Sequence, residues 1–173
     1  AVDEGLLGLE FFVGVPGSVG GAVRQNAGCF GLETKDRLVS ATIADLATGE
    51  TSDRRVGDLD LAYRQSNVSP SQLVLSARFS GRHGDPAEGR AKMREITRWR
   101  KEHQPGGTFN AGSVFKNPPD VAAGELIDRL GLKGTAVGGV SVSEKHANFF
   151  VAGPDATAAD IRRLVEIVKD AVF

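Results

Sequence analysis

Apolar and polar residues alternate along several short segments of the chain, and this pattern predicts β-strands. Residues 37–56 alternate on either side of a Thr-Gly pair at positions 48–49, which predicts a β-hairpin. Residues 72–80 (QLVLSARFS) predict another strand, and shorter apolar runs at 136–143 and 148–152 predict two more.

Apolar residues recur at three- and four-residue spacings in three other segments, which predicts helices. Residues 86–103 carry a thin apolar stripe, and residues 120–134 form a shorter pattern that a glycine ends. Residues 155–173 predict the strongest helix, with Thr157 as its N-cap and Asp160 three residues on, close to a capping box. One face of this helix is apolar: Ile161, Leu164, Val165 and Val168.

The order of these elements predicts an α+β fold in two units, divided near residues 81–86. The polar, turn-rich segment 81–89 (GRHGDPAEG) is interpreted as a linker. We assign residues 1–83 to the first domain and residues 84–173 to the second. The chain opens at AVDEGLLGLEFF and stops within a helical run that has no cap, which suggests a fragment.

Charge and cysteine content narrow the class of protein. The chain has 21 Lys and Arg against 22 Asp and Glu, a net charge of −1, so we expect neither nucleic acid nor membrane as a partner. It has no long apolar run. The single cysteine, Cys29, cannot form an internal disulfide, which favours a reducing cytoplasm. No histidine or cysteine pair has metal-binding spacing, so no metal is expected.

A glycine-rich segment runs from Gly14 to Gly31, with glycines at positions 14, 17, 20 and 21. This spacing fits neither a dinucleotide-binding fingerprint nor a P-loop. Its main-chain amides could bind a phosphate or lie against a flat ring. From spacing alone, a tight structural loop is the favoured interpretation.

The segment NAGSVFKNP (residues 110–118) places Ser113 in a turn of small residues. No Gly-x-Ser-x-Gly motif surrounds this serine, so a nucleophilic role is not indicated. Its hydroxyl could give a proton to a carbanion or enolate, or it could simply cap the turn. Arg64 could bind a carboxylate or pair with an acidic residue at the surface. Lys101 could hold a diphosphate or lie on a solvated face of the helix. His146 could be a polar residue at the boundary of the apolar strand that follows it.

Four strings, taken in order, resemble the UDP-N-acetylenolpyruvoylglucosamine reductase (MurB) family. They are GLEFFVGVPGSVGGAVRQNAGCFG, YRQS, NAGSVFKNP and LIDRLGLKGTAVGGVSVSEKHANFFV. Each string alone is a weak signal, but the ordered set covers nearly the whole chain. The resemblance implies an enzyme of peptidoglycan precursor synthesis that uses FAD and NADPH. Such an enzyme reduces UDP-N-acetylglucosamine enolpyruvate to UDP-N-acetylmuramate.

The resemblance also implies roles for individual residues. Ser113 is expected to protonate the enolate carbon, and Arg64 to hold the substrate carboxylate and stabilise the enolate. The remaining expected substrate contacts are Tyr63, Lys101, Asn117 and His146, with Lys101 on the diphosphate. The expected flavin contacts are Gly14, Gly17, Ser18, Gly20, Gly21 and Asn26. We expect a monomer whose partner is its small-molecule substrate, with neither nucleic acid nor membrane as a further partner.

The chain departs from the family pattern in three ways. The family's upstream flavin-binding strands and its closing Leu-x-x-Glu-Val segment are not in this sequence, and the inserted loop of the long-form members is missing. We therefore expect a short-form fragment, inactive alone: the C-terminal part of the FAD-binding domain followed by a truncated substrate-binding domain. The alternatives are a flavin- or nucleotide-binding module without catalysis and a purely structural α+β domain.

Overall fold

The structure, a computed structural model, describes residues 1–172 and divides the chain into two compact units. The first unit is Ala1–Arg98 and the second starts at Trp99. This boundary between the compact units falls inside a long helix, Pro86–His103. Each unit combines helices with a sheet and has its own buried core, so the predicted α+β class is confirmed.

Fourteen helices and strands are described, besides four short 3₁₀ turns. In chain order they are β1 (Leu6–Leu7), α1 (Val19–Arg24), β2 (Gly28–Cys29), β3 (Leu32–Glu33), β4 (Leu38–Asp45), β5 (Thr51–Arg55), β6 (Gln72–Phe79), β7 (Arg82–His83), α2 (Pro86–His103), α3 (Ala123–Arg129), β8 (Ala136–Val137), β9 (Val140–Val142), β10 (Phe150–Ala152) and α4 (Ala158–Val172).

The main sheet of the first unit is antiparallel, in the order β5-β4-β6. The predicted hairpin is confirmed: β4 and β5 pair from Ser40 opposite Arg55 to Ala44 opposite Thr51. Gly49 closes their turn with a φ of +77°, a left-handed conformation that glycine adopts without steric cost. The inner face of the sheet packs in an apolar core of Val23, Leu38, Ala41, Ile43, Leu59 and Val68.

Two segments of the first unit differ from the sequence-based expectation. The glycine-rich segment is not all loop, because Ser18 accepts a hydrogen bond from the Gly21 amide (3.1 Å) and caps the short helix α1. The segment interpreted as a linker contains β7, which pairs with β1 in an antiparallel ladder. Local composition suggested loops in both places because glycine, proline and aspartate are poor helix and strand formers, and tertiary packing overrides that preference.

The second unit is built on the antiparallel sheet β10-β9-β8. Helix α4 covers it with Leu164 and Val168, both almost fully buried, as the apolar stripe predicted, whereas Ile161 of the same stripe is 41% exposed. The capping box is also confirmed, since the Thr157 amide donates to the Asp160 carboxylate (2.9 Å) and the Asp160 amide donates to the Thr157 hydroxyl (3.2 Å).

Candidate active site

A polar pocket of about 370 Å³ in the second unit brings together three of the predicted site residues. Ser113, Asn117 and His146 all line it, although up to 33 positions separate them in the sequence. Two lysines, Lys133 and Lys145, line the same pocket. The pocket therefore combines a hydroxyl, two amides, an imidazole and two lysines with the carboxylates of Glu125 and Asp128, a lining of mixed charge suited to a polar ligand.

The segment that carries Ser113 is fixed by the buried residues Asn148 and Phe149, which directly precede β10. Ser113 pairs with Phe149 in an isolated antiparallel bridge, and the Val114 amide donates to the Asn148 carbonyl (2.9 Å). The Ser113 hydroxyl has no hydrogen-bond partner within residues 99–172. The main chain at this position is thus held while the side chain faces the pocket, so the hydroxyl is available to a ligand.

Asn148 is the residue that aligns this segment most directly. Its side chain is 2% exposed, and it accepts from the Phe115 amide (2.9 Å) and donates to the Phe115 carbonyl (2.9 Å). The carboxamide therefore replaces both hydrogen bonds that a neighbouring strand would supply. Ser113 lies two residues from this clamp.

His146 forms part of the pocket wall in a half-buried position. Its Nδ1 accepts a hydrogen bond from the Asn148 amide (3.2 Å), and its ring lies 4.6 Å from the ring of Phe149. Burial lowers the pKa of His146 below its usual 6.5, and the charge of Lys133 lowers it further. The imidazole is therefore neutral at neutral pH, a form that can donate and accept hydrogen bonds at once.

The other predicted contacts of this unit have structural partners. The Asn117 side-chain oxygen accepts from the Ala123 amide (3.0 Å) at the start of α3. Lys101 lies in the last turn of α2, and its carbonyl accepts from Lys145 Nζ (2.6 Å). This bond ties the end of α2 to a lysine of the pocket wall.

Arg64 lies in the first unit, in a turn after a 3₁₀ segment. Its φ is +53°, a left-handed conformation that is uncommon for residues other than glycine and marks backbone strain. Its guanidinium contacts the carbonyls of Asn26 (3.3 Å) and Gly28 (3.0 Å) and lies 4.9 Å from the ring centre of Tyr63. Tyr63 itself is 45% exposed.

The residues expected to contact the flavin occupy the start of the glycine-rich segment and α1. Gly17 has a φ of +99° and open space where a side chain would be, so its main chain is approachable. Ser18 and Gly21 bond to each other as the cap of α1, and Gly20 packs against Val74 of β6. Asn26 differs from these positions because its side chain is completely buried.

The predicted site residues thus form two groups. One is the pocket of the second unit, with Ser113, Asn117 and His146. The other is in the first unit, where Arg64 contacts Tyr63 and Asn26. Sequence patterns missed the residues that support these groups: Glu33, Lys133, Lys145 and Asn148. Each is an ordinary polar residue next to an apolar run, and only its tertiary contacts reveal its place.

Comparison with known proteins shows that the chain is similar to UDP-N-acetylenolpyruvoylglucosamine reductases in sequence and in structure. Residues 104–173 match the family model of the UDP-N-acetylenolpyruvoylglucosamine reductase C-terminal domain. The UDP-N-acetylenolpyruvoylglucosamine reductase of Rhodopseudomonas palustris is 48% identical over 95% of this chain, and that of Geobacillus kaustophilus is 44% identical over 99%. A crystal structure of the MurB reductase from Thermus caldophilus matches 98% of the chain with a TM-score of 0.91 and 38% identity.

The family resemblance that the ordered motifs predicted is therefore confirmed: the chain is related over nearly its whole length to the MurB reductases. It spans 53% and 57% of the two sequence relatives, about half their length, and 62% of the crystallised chain.

Among residues 1–172, no helix is both long and apolar enough to cross a membrane. That part of the chain also contains no group of three or more acidic, histidine or cysteine side chains arranged for a metal ion.

Proposed function

We propose that the chain is part of a cytoplasmic, monomeric reductase that converts UDP-N-acetylglucosamine enolpyruvate to UDP-N-acetylmuramate with NADPH and FAD. The reaction would supply a precursor of peptidoglycan. The observation that carries the proposal is the pocket in which Ser113, Asn117 and His146 meet, in a chain whose relatives are named for this reduction. Residues 1–83 would then belong to the FAD-binding domain and residues 84–173 to the substrate-binding domain.

The cationic side chains of the second unit suit a sugar nucleotide. A diphosphate carries negative charge that lysine neutralises as a flexible point charge. Lys101 is the predicted diphosphate contact, and its carbonyl holds Lys145 at the pocket wall. Lys133 pairs with Asp128 (2.7 Å) beside the same pocket. Neutral His146 and Asn117 would bind uncharged hydroxyl and amide groups of the sugar.

The first unit offers main-chain surface that fits a cofactor with a flat ring and a diphosphate. The positive φ and open space at Gly17 would let the backbone approach FAD closely, and Gly14 has the same left-handed conformation. Ser18, Gly20 and Gly21 would hold this surface in shape through α1. Asn26 would act through the fold, because its buried carboxamide is bonded within the unit. Bound FAD would supply hydride transfer from NADPH to the substrate double bond.

Arg64 and Ser113 would perform the steps of the reaction that depend on protein side chains. Arg64 would bind the enolpyruvyl carboxylate in two hydrogen bonds and stabilise the negative charge that reaches it in the enolate. Tyr63, stacked near the guanidinium, would contact the same part of the substrate. The Ser113 hydroxyl would donate its proton to the enolate carbon next to the carboxylate, and solvent would return a proton to the serine.

A flavin- or nucleotide-binding module without catalysis is the second candidate, because glycine-rich surfaces and lysine-lined pockets serve binding alone. The presence of Arg64, Ser113 and Lys101 together favours the enzyme, because binding alone would not require the serine.

The test uses the full-length protein that contains this chain. We expect a yellow, FAD-containing protein that oxidises NADPH only when UDP-N-acetylglucosamine enolpyruvate is present and yields UDP-N-acetylmuramate. Flavin binding without substrate-dependent NADPH oxidation would support the binding module instead, and absence of flavin would refute the reductase and the flavin-binding module.

A further inference from the structure

Glu33 lies where the contacts of two predicted site residues meet. Its Oε1 is 3.5 Å from Nη1 of Arg64, and its Oε2 accepts from the Asn26 side-chain amide (3.0 Å). One carboxylate therefore joins the predicted carboxylate-binding arginine to the glycine-rich segment. The Glu33 side chain is 23% exposed, so solvent only partly screens this pair.

Asn26 is the fixed end of this arrangement. It is fully buried, and its amide nitrogen donates to the Ala62 carbonyl (3.0 Å) as well as to Glu33. Its side-chain oxygen accepts from the Lys35 amide (2.9 Å). A buried carboxamide with these three bonds cannot rotate without leaving polar groups unpaired. Asn26 thus offers a rigid reference point for Glu33.

Arg64, on the other side of Glu33 from Asn26, is held in place by its turn. Ala62 and Gln65 exchange two main-chain hydrogen bonds (3.1 Å each) around the turn, and the left-handed φ of Arg64 lies inside it. Strain of this kind persists where surrounding contacts over-determine the conformation, and it is concentrated at functional sites. The bonds from Arg64 to the carbonyls of Asn26 and Gly28 fix the guanidinium on the same segment that Glu33 anchors.

We propose that Glu33 is a positioning residue, which orients the Arg64 guanidinium against the glycine-rich segment so that its fork is preset for the substrate carboxylate. The proposal rests on the role given to Arg64 above. Lys35 Nζ lies 3.1 Å from Glu33 Oε2 and offsets its negative charge, so Oε1 is the oxygen that faces Arg64. A preset arginine loses less side-chain freedom when the substrate binds.

The test is Glu33→Gln in the full-length flavoenzyme. Glutamine keeps the size of the side chain and one oxygen, which preserves the cap that Glu33 forms on the following 3₁₀ turn, but it removes the charge. We expect the dissociation constant and KM of the enolpyruvyl substrate to rise about tenfold, the effect of one lost hydrogen bond to a charged group. The rate of flavin reduction by NADPH alone should stay within about twofold of wild type. Glu50→Gln, the same change at an exposed glutamate in the β4–β5 turn, is the matched control and should alter neither.

A double-mutant cycle with Arg64→Lys separates positioning from general support of the fold. If Glu33 acts through Arg64, Glu33→Gln has little further effect on substrate dissociation in the Arg64→Lys background. An equal loss in both backgrounds would overturn the inference, as would wild-type binding by Glu33→Gln beside an impaired Arg64→Lys. Wild-type kinetics of Arg64→Lys would refute the role of Arg64 itself. If Glu33→Gln lost its flavin or folded poorly, Glu33→Asp would serve, with weakened substrate binding expected and unchanged binding contradicting the inference.

Discussion

Replacing Asn148 with alanine is expected to release the segment that carries Ser113. The substitution removes both hydrogen bonds to the main chain of Phe115 while leaving the bridge between Ser113 and Phe149 in place. Each bond contributes about 0.5–1.5 kcal/mol net, so the pair contributes about 2 kcal/mol. Phe115 is only partly buried, which lets water reach the exposed groups and keeps the cost near that value.

Hydrogen exchange measures this loss at the segment itself. A loss of about 2 kcal/mol corresponds to about a 30-fold drop in protection of the Phe115 amide, since about 1.4 kcal/mol is a factor of ten. Peptides from β4 and β6 in the other unit serve as the internal control and should exchange as in the wild type. Asn148→Asp keeps the acceptor for the Phe115 amide but sets a charged oxygen against the Phe115 carbonyl. It should therefore lose at least as much protection at neutral pH, and regain part of it in acid once the carboxyl becomes a donor. Protection of Phe115 within about threefold of wild type in Asn148→Ala would refute the clamp.

Three further changes test other parts of the structure. Thr157→Ala removes a hydroxyl that accepts a hydrogen bond from the Asp160 amide, so the second unit should lose about 1 kcal/mol of stability. This loss should appear as faster hydrogen exchange in α4. Thr157→Ser keeps the hydroxyl and should keep the stability. An NMR titration should give His146 a pKa below 6.5. Folding therefore favours the neutral ring, so the free energy of unfolding should fall as the pH drops from 6.5 through that lower pKa. The variant His146→Gln should lack this part of the loss of stability in acid. An unshifted titration would contradict the burial of the ring. Gly89→Ala in α2 places a methyl group 2.7 Å from Leu7, so it should lower the free energy of unfolding by about 1–3 kcal/mol despite alanine's higher helix propensity. Urea unfolding of the first unit measures this loss. A gain in stability would show that Leu7 moves aside.

Elements with strong periodicity or definite end signals could be predicted from the sequence. Helix α4 follows from its apolar stripe and its Thr157–Asp160 box, and the β4–β5 hairpin follows from alternation around a Thr-Gly turn. Helix α1 and strand β7 could not be predicted, because their residues have weak local preferences. They form because α1 packs against β6 and β7 pairs with the distant β1.

The candidate site divides in the same way. Ser113, Asn117 and His146 belong to recognisable strings, and the structure places them around one pocket. Glu33 lies outside these strings, and Asn148 lies inside one of them without a role that the string assigns to it. Their importance lies in which main-chain and side-chain groups they bond across 31 to 33 positions of sequence, and local spacing does not encode that.

The central claim is that Ser113 is the proton donor, and stopped-flow absorbance of the flavin in the full-length protein tests it most directly. Ser113→Ala should leave flavin reduction by NADPH near the wild-type rate and slow re-oxidation by the enolpyruvyl substrate by about 10² to 10⁴, the usual cost of losing a positioned general acid. Ser113→Cys should retain more of the re-oxidation rate, because a thiol can still donate. Equal slowing of both half-reactions in Ser113→Ala, or wild-type re-oxidation, would contradict the claim and leave Ser113 as a structural turn residue.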